Sequence, residues 1–341
     1  MRNMLTTLSS PLRLAGAAHA REARVQHGRE PCRVDGPAPG NAQRHVVKHE
    51  AVKRPHGPAD LRHQDVRKLL ERGLERARRG ADALGGAAEA LGHVDAVIAV
   101  AQAVGVCRFI VPATVRARWQ NVLALGKRDD VSICLGLHPY FIEQHQPDDL
   151  KALETLILQQ LAGACPARPV AIGECGIDGR FTDSLDEQWH YFDEQLNIAK
   201  RCKLPVVVHC VKANDTVSKR LRQQALPAAG LIHAFSGSYE QAVKFLDLGY
   251  VLGLGGAVTY ERAQKLRRVV AKLPDDGFVL ETDSPDMPLS GYQGQRNEPS
   301  RVMLVAQEVA RLRRQSFDTV AALSSDNAAR VFKLTGDETN S

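Results

Sequence analysis

Leu204-Pro205-Val206-Val207-Val208-His209 is a short apolar run that closes on an imidazole. Three more runs close on a ligand-type side chain: Pro169-Val170-Ala171-Ile172-Gly173-Glu174, Gly230-Leu231-Ile232-His233 and Gly277-Phe278-Val279-Leu280-Glu281-Thr282-Asp283. Each reads as a buried strand, and each is followed by a helical stretch. In a parallel barrel the carboxyl ends of such strands converge on one mouth, where side chains distant in sequence meet around one ion. One histidine after one strand means little. Glu174, His209, His233 and Asp283, each at the end of a strand, form a constellation that points to metal-dependent chemistry.

The alternation extends in both directions from these runs. Strands are expected at 106–111, 131–136, 169–173, 205–208, 230–233, 250–254 and 278–282, with helices between them at 116–126, 147–162, 185–202, 214–225, 239–248 and 260–273. Helices 299–314 and 317–333 close the chain, and Val94, Val97, Ile98, Ala101 and Val104 mark another over 93–104. Such strict alternation is an α/β fold with a parallel sheet, and the chain is long enough for a (β/α)8 TIM-type barrel of about 250 residues with a surplus. Seven strands are legible, with a helix ahead of the first. An eighth belongs just before residue 93, where Gly80-Ala81-Asp82-Ala83-Leu84-Gly85-Gly86-Ala87-Ala88 has no β-branched residue. The first strand is therefore expected to be missing or replaced.

Composition changes near the same point. Residues 1–92 lack Phe, Trp, Tyr and Ile and hold 17 Lys and Arg against 10 Asp and Glu, whereas the remainder holds 28 against 29. The net charge of +6 thus belongs to the first segment and says nothing about what the barrel binds. A segment so poor in large apolar groups has little to offset its ordering entropy. Residues 1–92 are expected to be a low-complexity, disordered Arg/Ala/Gly-rich segment with at most a solvated helix over 60–79, residues 93–335 the barrel, and 336–341 a tail. Met1 to Ala20 is acid-free and carries Ala18-His19-Ala20, but Pro11 and Arg13 interrupt its apolar stretch, so an export signal is not expected. No apolar run approaches the ~20 residues that span a bilayer. Seven scattered cysteines without C-x-x-C spacing argue against a disulfide framework or a zinc ribbon and suit a reducing, cytoplasmic setting.

A two-metal hydrolase needs carboxylates that bridge cations, imidazoles that complete the coordination, and an open position for a water whose pKa the metals lower. Glu174 suits the bridging place, and Asp283 suits either a ligand or the group that orients and deprotonates the water. Each residue also has an ordinary alternative. Glu174 could cap a helix, His209 could be a core histidine bonded to backbone, and Asp283 could form a turn before Ser284-Pro285. Ser236, in the segment opening the helix after His233, could hold a phosphate through backbone N–H groups or simply cap that helix. His138, after the second strand, could contact substrate or be structural. Tyr140, Gln293, Arg296 and Asn297 are placed at the mouth, Arg296 with the planar donor fork that suits phosphate.

Five motifs in order, Gly136-Leu137-His138-Pro139, Gly173-Glu174-x-Gly176-Ile177-Asp178, Pro205-Val206-Val207-Val208-His209, His233-Ala234-Phe235-Ser236-Gly237-Ser238 and Leu280-Glu281-Thr282-Asp283-Ser284-Pro285, resemble the TatD-related metal-dependent deoxyribonucleases over about residues 93–335. Asp286-Met287-Pro288-Leu289 and Gly291-Tyr292-Gln293-Gly294-Gln295 look closest to the YjjV-like branch. The resemblance implies a distorted (β/α)8 barrel that hydrolyses phosphodiester bonds in DNA, commonly as a Mg2+-dependent exonuclease. It implies two divalent ions (Mg2+, with Mn2+ or Zn2+ as alternatives), Glu174 bridging them, His209 and His233 holding the second, and Asp283 completing the first. Two departures stand out. The family opens with Asp-x-His-x-His on its first strand, and no H-x-H occurs in residues 1–92. The family's basic residue two positions after the strand-five histidine is Val211 here, and Lys212 is taken as the phosphate contact instead.

The expectation is a TatD-type deoxyribonuclease with one of its two ions lost, low or no turnover, DNA as its substrate, no membrane and no obligate protein partner. One account of residues 1–92 is a shifted reading frame in a GC-rich gene, which translation of the DNA upstream of His93 in the other frames would expose as an Asp-x-His-x-His strand. An amidohydrolase or phosphotriesterase relative is the alternative enzyme, but such sites often bridge through a carboxylated lysine and no lysine ends a strand here. The remaining alternative is a non-catalytic protein with a basic nucleic-acid tether, which composition permits without supplying an aromatic stacking platform in residues 1–92.

Overall fold

Seven apolar runs become seven parallel strands of one curled sheet, ordered as in the chain. The structure is a computed structural model that describes residues 5–8, 87–163 and 167–334. The strands are β2 (Val106–Pro112), β3 (Val131–Leu135), β4 (Pro169–Asp178), β5 (Val206–Val211), β6 (Gly230–His233), β7 (Val251–Leu254) and β8 (Phe278–Leu280). Helices α1 (Ala87–Ala103), α2 (Trp119–Leu125), α3 (Asp149–Ala162), α4 (Leu185–Cys202), α5 (Asn214–Gln224), α6 (Tyr239–Leu246), α7 (Gln264–Val270), α8 (Val302–Arg313) and α9 (Phe317–Phe332) separate and follow them. This is the expected TIM-type arrangement, with boundaries moved by a few residues. The largest shift is β4, which runs on to Asp178 because its last residues still pair with β5.

The first strand is replaced. Strand β1 (Leu5–Leu8) pairs with β2, and it does so antiparallel, Leu5 opposite Ile110 and Thr7 opposite Arg108. The place just before residue 93 is helical instead, since α1 already begins at Ala87. The boundary expected at residue 93 therefore falls inside a helix. Apart from β1 and the start of α1, the readings made for residues 1–92, including the helix over 60–79, lie outside the described residues, as does the tail 336–341.

Two layers of core follow from the alternation of side chains along each strand. Ile110, Cys134, Ala171, Val207, Leu231, Val251 and Val279, one from each parallel strand, line the inside of the sheet, and Ala328 and Phe332 of α9 pack against them. Their neighbours along the strands, among them Val206, Val208, Ile232, Leu252 and Phe278, face the surrounding helices in a larger cluster. The inner layer is filled by side chains, so there is no pore; chemistry is confined to the strand ends. Among the described residues five cysteines are free and none forms a disulfide. No described helix is long and apolar enough to cross a membrane.

Candidate metal centre

The inner layer aims the site. His209, His233 and Glu281 each stand two residues beyond an inner-layer residue (Val207, Leu231 and Val279), so the period of two points all three into the mouth. Glu174 needs a different device. The register of β4 on β5 runs from Ile172 opposite Val206 to Cys175 opposite Val208, so β4 carries one extra residue. That bulge turns Glu174 inward. Gly176 follows with φ +143, and a Cβ there would run into the His209 carbonyl oxygen. Asp283 lies beyond the end of β8 in a left-handed conformation, φ 60.

Donor atoms of His138, Glu174 and His209 all lie within 4.8 Å of one another. Glu174 Oε1 is 3.1 Å from His138 Nε2 and 3.2 Å from His209 Nδ1, and its side chain is buried. The second nitrogen of each ring distinguishes them. His209 Nε2 is 3.1 Å from Asp178 Oδ2, an acceptor, so Nε2 carries the ring proton and the Nδ1 lone pair is left for an ion. His138 Nδ1 accepts from the Tyr140 N–H at 3.0 Å, so the proton of its neutral ring sits on Nε2 and faces Glu174. His138 is therefore an N–H donor in this geometry, suited to a carboxylate or a substrate oxygen and not to a cation. His233 repeats the His209 arrangement: its Nδ1 is 2.8 Å from Glu281 Oε2. Its Nε2 faces Asp283 Oδ1 at 3.3 Å, and both atoms are buried without a hydrogen bond. A Cβ on Gly253 would collide with the Glu281 carboxylate, so β7 needs glycine there for Glu281 to reach His233.

Charge follows this geometry. Burial alone would raise Glu174, but the charges of His233 and His138 and hydrogen bonds from His138 and His209 hold it well below the usual carboxylate range. Burial would lower His209, yet hydrogen bonds to Asp178 and Glu174 raise it. His233 is likewise raised well above the ordinary value, burial being outweighed by Glu281, Glu174 and Asp283. Burial raises Glu281 in spite of its histidine partner. His138 goes the other way, lowered by burial against the attraction of Glu174. The carboxylates thus favour positive charge on His209 and His233, a role that a bound cation can take over.

Two buried glutamines on one face of α4 hold the loops that carry the site. Gln195 grips Leu137, accepting from its N–H at 2.8 Å and donating to its carbonyl at 3.0 Å. Gln188 accepts from the Asp178 N–H at 2.8 Å and donates to the Phe181 carbonyl at 3.2 Å. Asp178 is further gripped by Arg180, whose Nε donates to Oδ1 at 2.8 Å. Sequence reasoning passed over Gln188, Gln195, Asp178 and Glu281 as working residues. The available signals were polar residues on the buried face of an amphipathic helix and, for Glu281, the spacing of two from Val279.

The other mouth residues separate. Lys212 and Ser236 line a cleft of about 420 Å³ beside β5 and β6. Ser236 is not the helix cap: Ser238 caps α6, accepting from the Gln241 N–H. Arg296 lines a second groove of about 1010 Å³ between the segment after β2 and the loop after β8. Asn297 is buried and spends its amide on the carbonyls of Thr282 (2.6 Å) and Met287 (3.1 Å), which makes it a fastener of the Asp283 loop. Gln293 accepts from the Gly291 N–H within its own turn.

The family model for TatD related DNase matches residues 87–333. The chain belongs to that family. An uncharacterized metal-dependent hydrolase, YjjV of Escherichia coli K12, is 41% identical over 246 residues, covering 71% of this chain and 93% of that protein. The crystal structure of YjjV, a TatD homolog, superposes with a TM-score of 0.67 over 71% of this chain and 92% of its own. The 3'-5' ssDNA/RNA exonuclease TatD of Erwinia amylovora is 31% identical, covering 70% of this chain and 93% of that protein. As a TatD-family protein the chain is a metal-dependent hydrolase, with a His/Glu cluster at its barrel mouth. The match begins at residue 87, where α1 begins, ahead of the join expected near residue 93.

Proposed function

We propose that this protein hydrolyses phosphodiester bonds in single-stranded DNA, with a divalent ion held by Glu174, His209, His233 and Asp283. One observation carries the reading: His209 and His233 each give one ring nitrogen to a carboxylate (Asp178 and Glu281) and turn the other toward a second carboxylate, the buried Glu174 or the partly buried Asp283. Carboxylate-backed imidazoles of this kind are how proteins orient metal ligands. His233 Nε2 and Asp283 Oδ1, 3.3 Å apart and with no hydrogen bond to any other group, fit the same purpose. Two imidazoles among four donors favour Mn2+ or Zn2+ over Mg2+ in affinity.

When bound, the ion supplies Lewis acidity toward a phosphoryl oxygen and lowers the pKa of a water. The chain's own groups do the rest. Asp283 takes the proton of the attacking water as the water oxygen bonds to phosphorus and the P–O bond to the leaving sugar oxygen breaks, that oxygen taking a proton from solvent. His138 Nε2–H donates to an oxygen of the phosphoryl group, and Lys212 with Ser236 in the adjoining cleft holds the neighbouring phosphate. Among the described residues, ligands are present for one ion rather than two. The family's remaining ligands belong to an Asp-x-His-x-His first strand, and β1 reads Leu-Thr-Thr-Leu, with no imidazole or carboxylate. Turnover is correspondingly low.

Calorimetric titration with Mn2+ and Mg2+, combined with digestion of end-labelled single-stranded DNA, tests this. The expected result is a single site and slow, ion-dependent cleavage. Undiminished cleavage by His209→Ala would refute the site. His138→Ala separates the two roles open to that residue: unchanged ion affinity with slower cleavage supports the N–H donor, and a loss of ion affinity makes it a ligand.

A further inference from the structure

Among the described residues, the exposed large hydrophobic side chains are Tyr140, Leu158, Phe181, Tyr239 and Met287. Leu158 and Tyr239 lie on α3 and α6. Tyr140 and Phe181 instead follow β3 and β4 directly, two residues after His138 and three after Asp178. They are 52% and 41% exposed, yet their rings meet edge to face with centroids 5.5 Å apart. Phe141 ties them to the site, its ring 5.1 Å from that of Tyr140 and 5.8 Å from that of His138. Arg180 completes the group: it grips Asp178 while its guanidinium stands 5.5 Å from the Phe181 ring centroid.

Two aromatic rings left half in water beside a buried polar site gain little from each other. Contiguous exposed apolar surface at the rim of a site marks a ligand, and the neighbouring cation narrows the ligand to something flat and anionic. We propose that Tyr140 and Phe181 form a stacking ledge for an unpaired nucleobase of the strand whose phosphodiester lies at Glu174. The inference rests on the phosphodiesterase reading and deepens it. Every base has a π-face, so the ledge selects unpaired strands without selecting sequence. A base inside a duplex has both faces covered by its neighbours and cannot engage the ledge without leaving the stack. Arg180 adds a positive charge where the backbone of that nucleotide passes.

The test is equilibrium binding by fluorescence anisotropy in Mn2+, with a labelled short oligothymidylate and the same oligomer made abasic. The double variant Tyr140→Ala/Phe181→Ala is expected to weaken oligothymidylate binding by about 5- to 100-fold, the range for a lost stacked base. Binding of the abasic oligomer stays as in the unaltered protein, and Tyr140→Trp/Phe181→Trp restores the preference for bases. Both rings are exposed, so thermal melting of the variants should match that of the parent and exclude misfolding. Equal losses for the two oligomers, or none for either, overturn the ledge. Hydrolysis is followed in the same samples. Base-dependent binding without hydrolysis keeps the ledge and removes the phosphodiesterase reading; hydrolysis with base-independent binding does the reverse, and no binding to either oligomer removes the ledge as well.

Discussion

The two sides of the barrel mouth have been completed by different means. From β3 to β8, the strand ends bring donors together, and a second ring of side chains (Asp178, Glu281, Gln188, Gln195) fixes them by hydrogen bonds. Beside β2 the sheet edge is instead covered by an antiparallel Leu-Thr-Thr-Leu strand that has no ligand-type residue, and the space beside β2 is a groove lined by Thr114, Arg118 and Arg296. A sheet edge can be satisfied by any chain with free N–H and C=O groups. A metal site accepts only particular atoms on a particular face. Covering the edge of β2 and supplying metal ligands are thus separable demands, and among the described residues β1 meets only the first.

The contrast is broken most severely at His209. His209→Ala is expected to lower Mn2+ affinity and kcat/KM more than about 100-fold, because a ligand should cost more than the 10- to 100-fold typical of its outer partner. Retention of both would move the site elsewhere. Next come the partners themselves: Asp178→Asn and Glu281→Gln should each weaken Mn2+ by roughly 10- to 100-fold. Arg296→Ala, on the β2 side, should leave ion affinity unchanged; equal losses from all three variants would erase the distinction between the sides.

Proton release sharpens the comparison further. Contacts with carboxylates raise His209, and raise His233 well above the ordinary imidazole value, so protons held on these rings compete with an ion. Ion affinity should therefore rise with pH through and above neutrality, and calorimetry in buffers of different ionisation enthalpy should show protons leaving on binding. Binding without proton release at pH 7 would contradict this electrostatic account. The smallest effect is expected from Gln195→Ala, which strands the buried Leu137 N–H and C=O at a cost of about 1–3 kcal/mol in a denaturant titration. Cleavage should slow as His138 loses its fixed position, with ion affinity little changed.

Most of the β3–β8 side was legible because burial on both faces leaves a continuous apolar run and the helices between have a different period. β1 was not. Four residues with two threonines carry no recognisable pattern, and their partner lies a hundred residues away in sequence. The strand-end places of Glu174, His209, His233 and Asp283 could be read, but not the difference in hydrogen bonding between His138 and His209, since both follow a strand. That distinction lies in the second nitrogen of each ring, bonded to Tyr140 in one case and Asp178 in the other. Asn297 was read as a mouth residue because loop polarity alone does not reveal that both amide protons are spent on carbonyls of its own loop.

Gln188 and Gln195 sit seven residues apart, two helical turns, so one rigid rod sets the spacing between the loop of His138 and the loop of Asp178. Deleting or inserting a single residue between them would rotate one glutamine about 100° away from its loop while leaving the other in place. Length within that stretch of α4 is therefore constrained outright, because even a whole added turn, which would restore the facing, would move one glutamine by about 5.4 Å. Single-residue insertions at every point between Gln188 and Gln195 should therefore lose function alike, although none of the inserted residues touches the site.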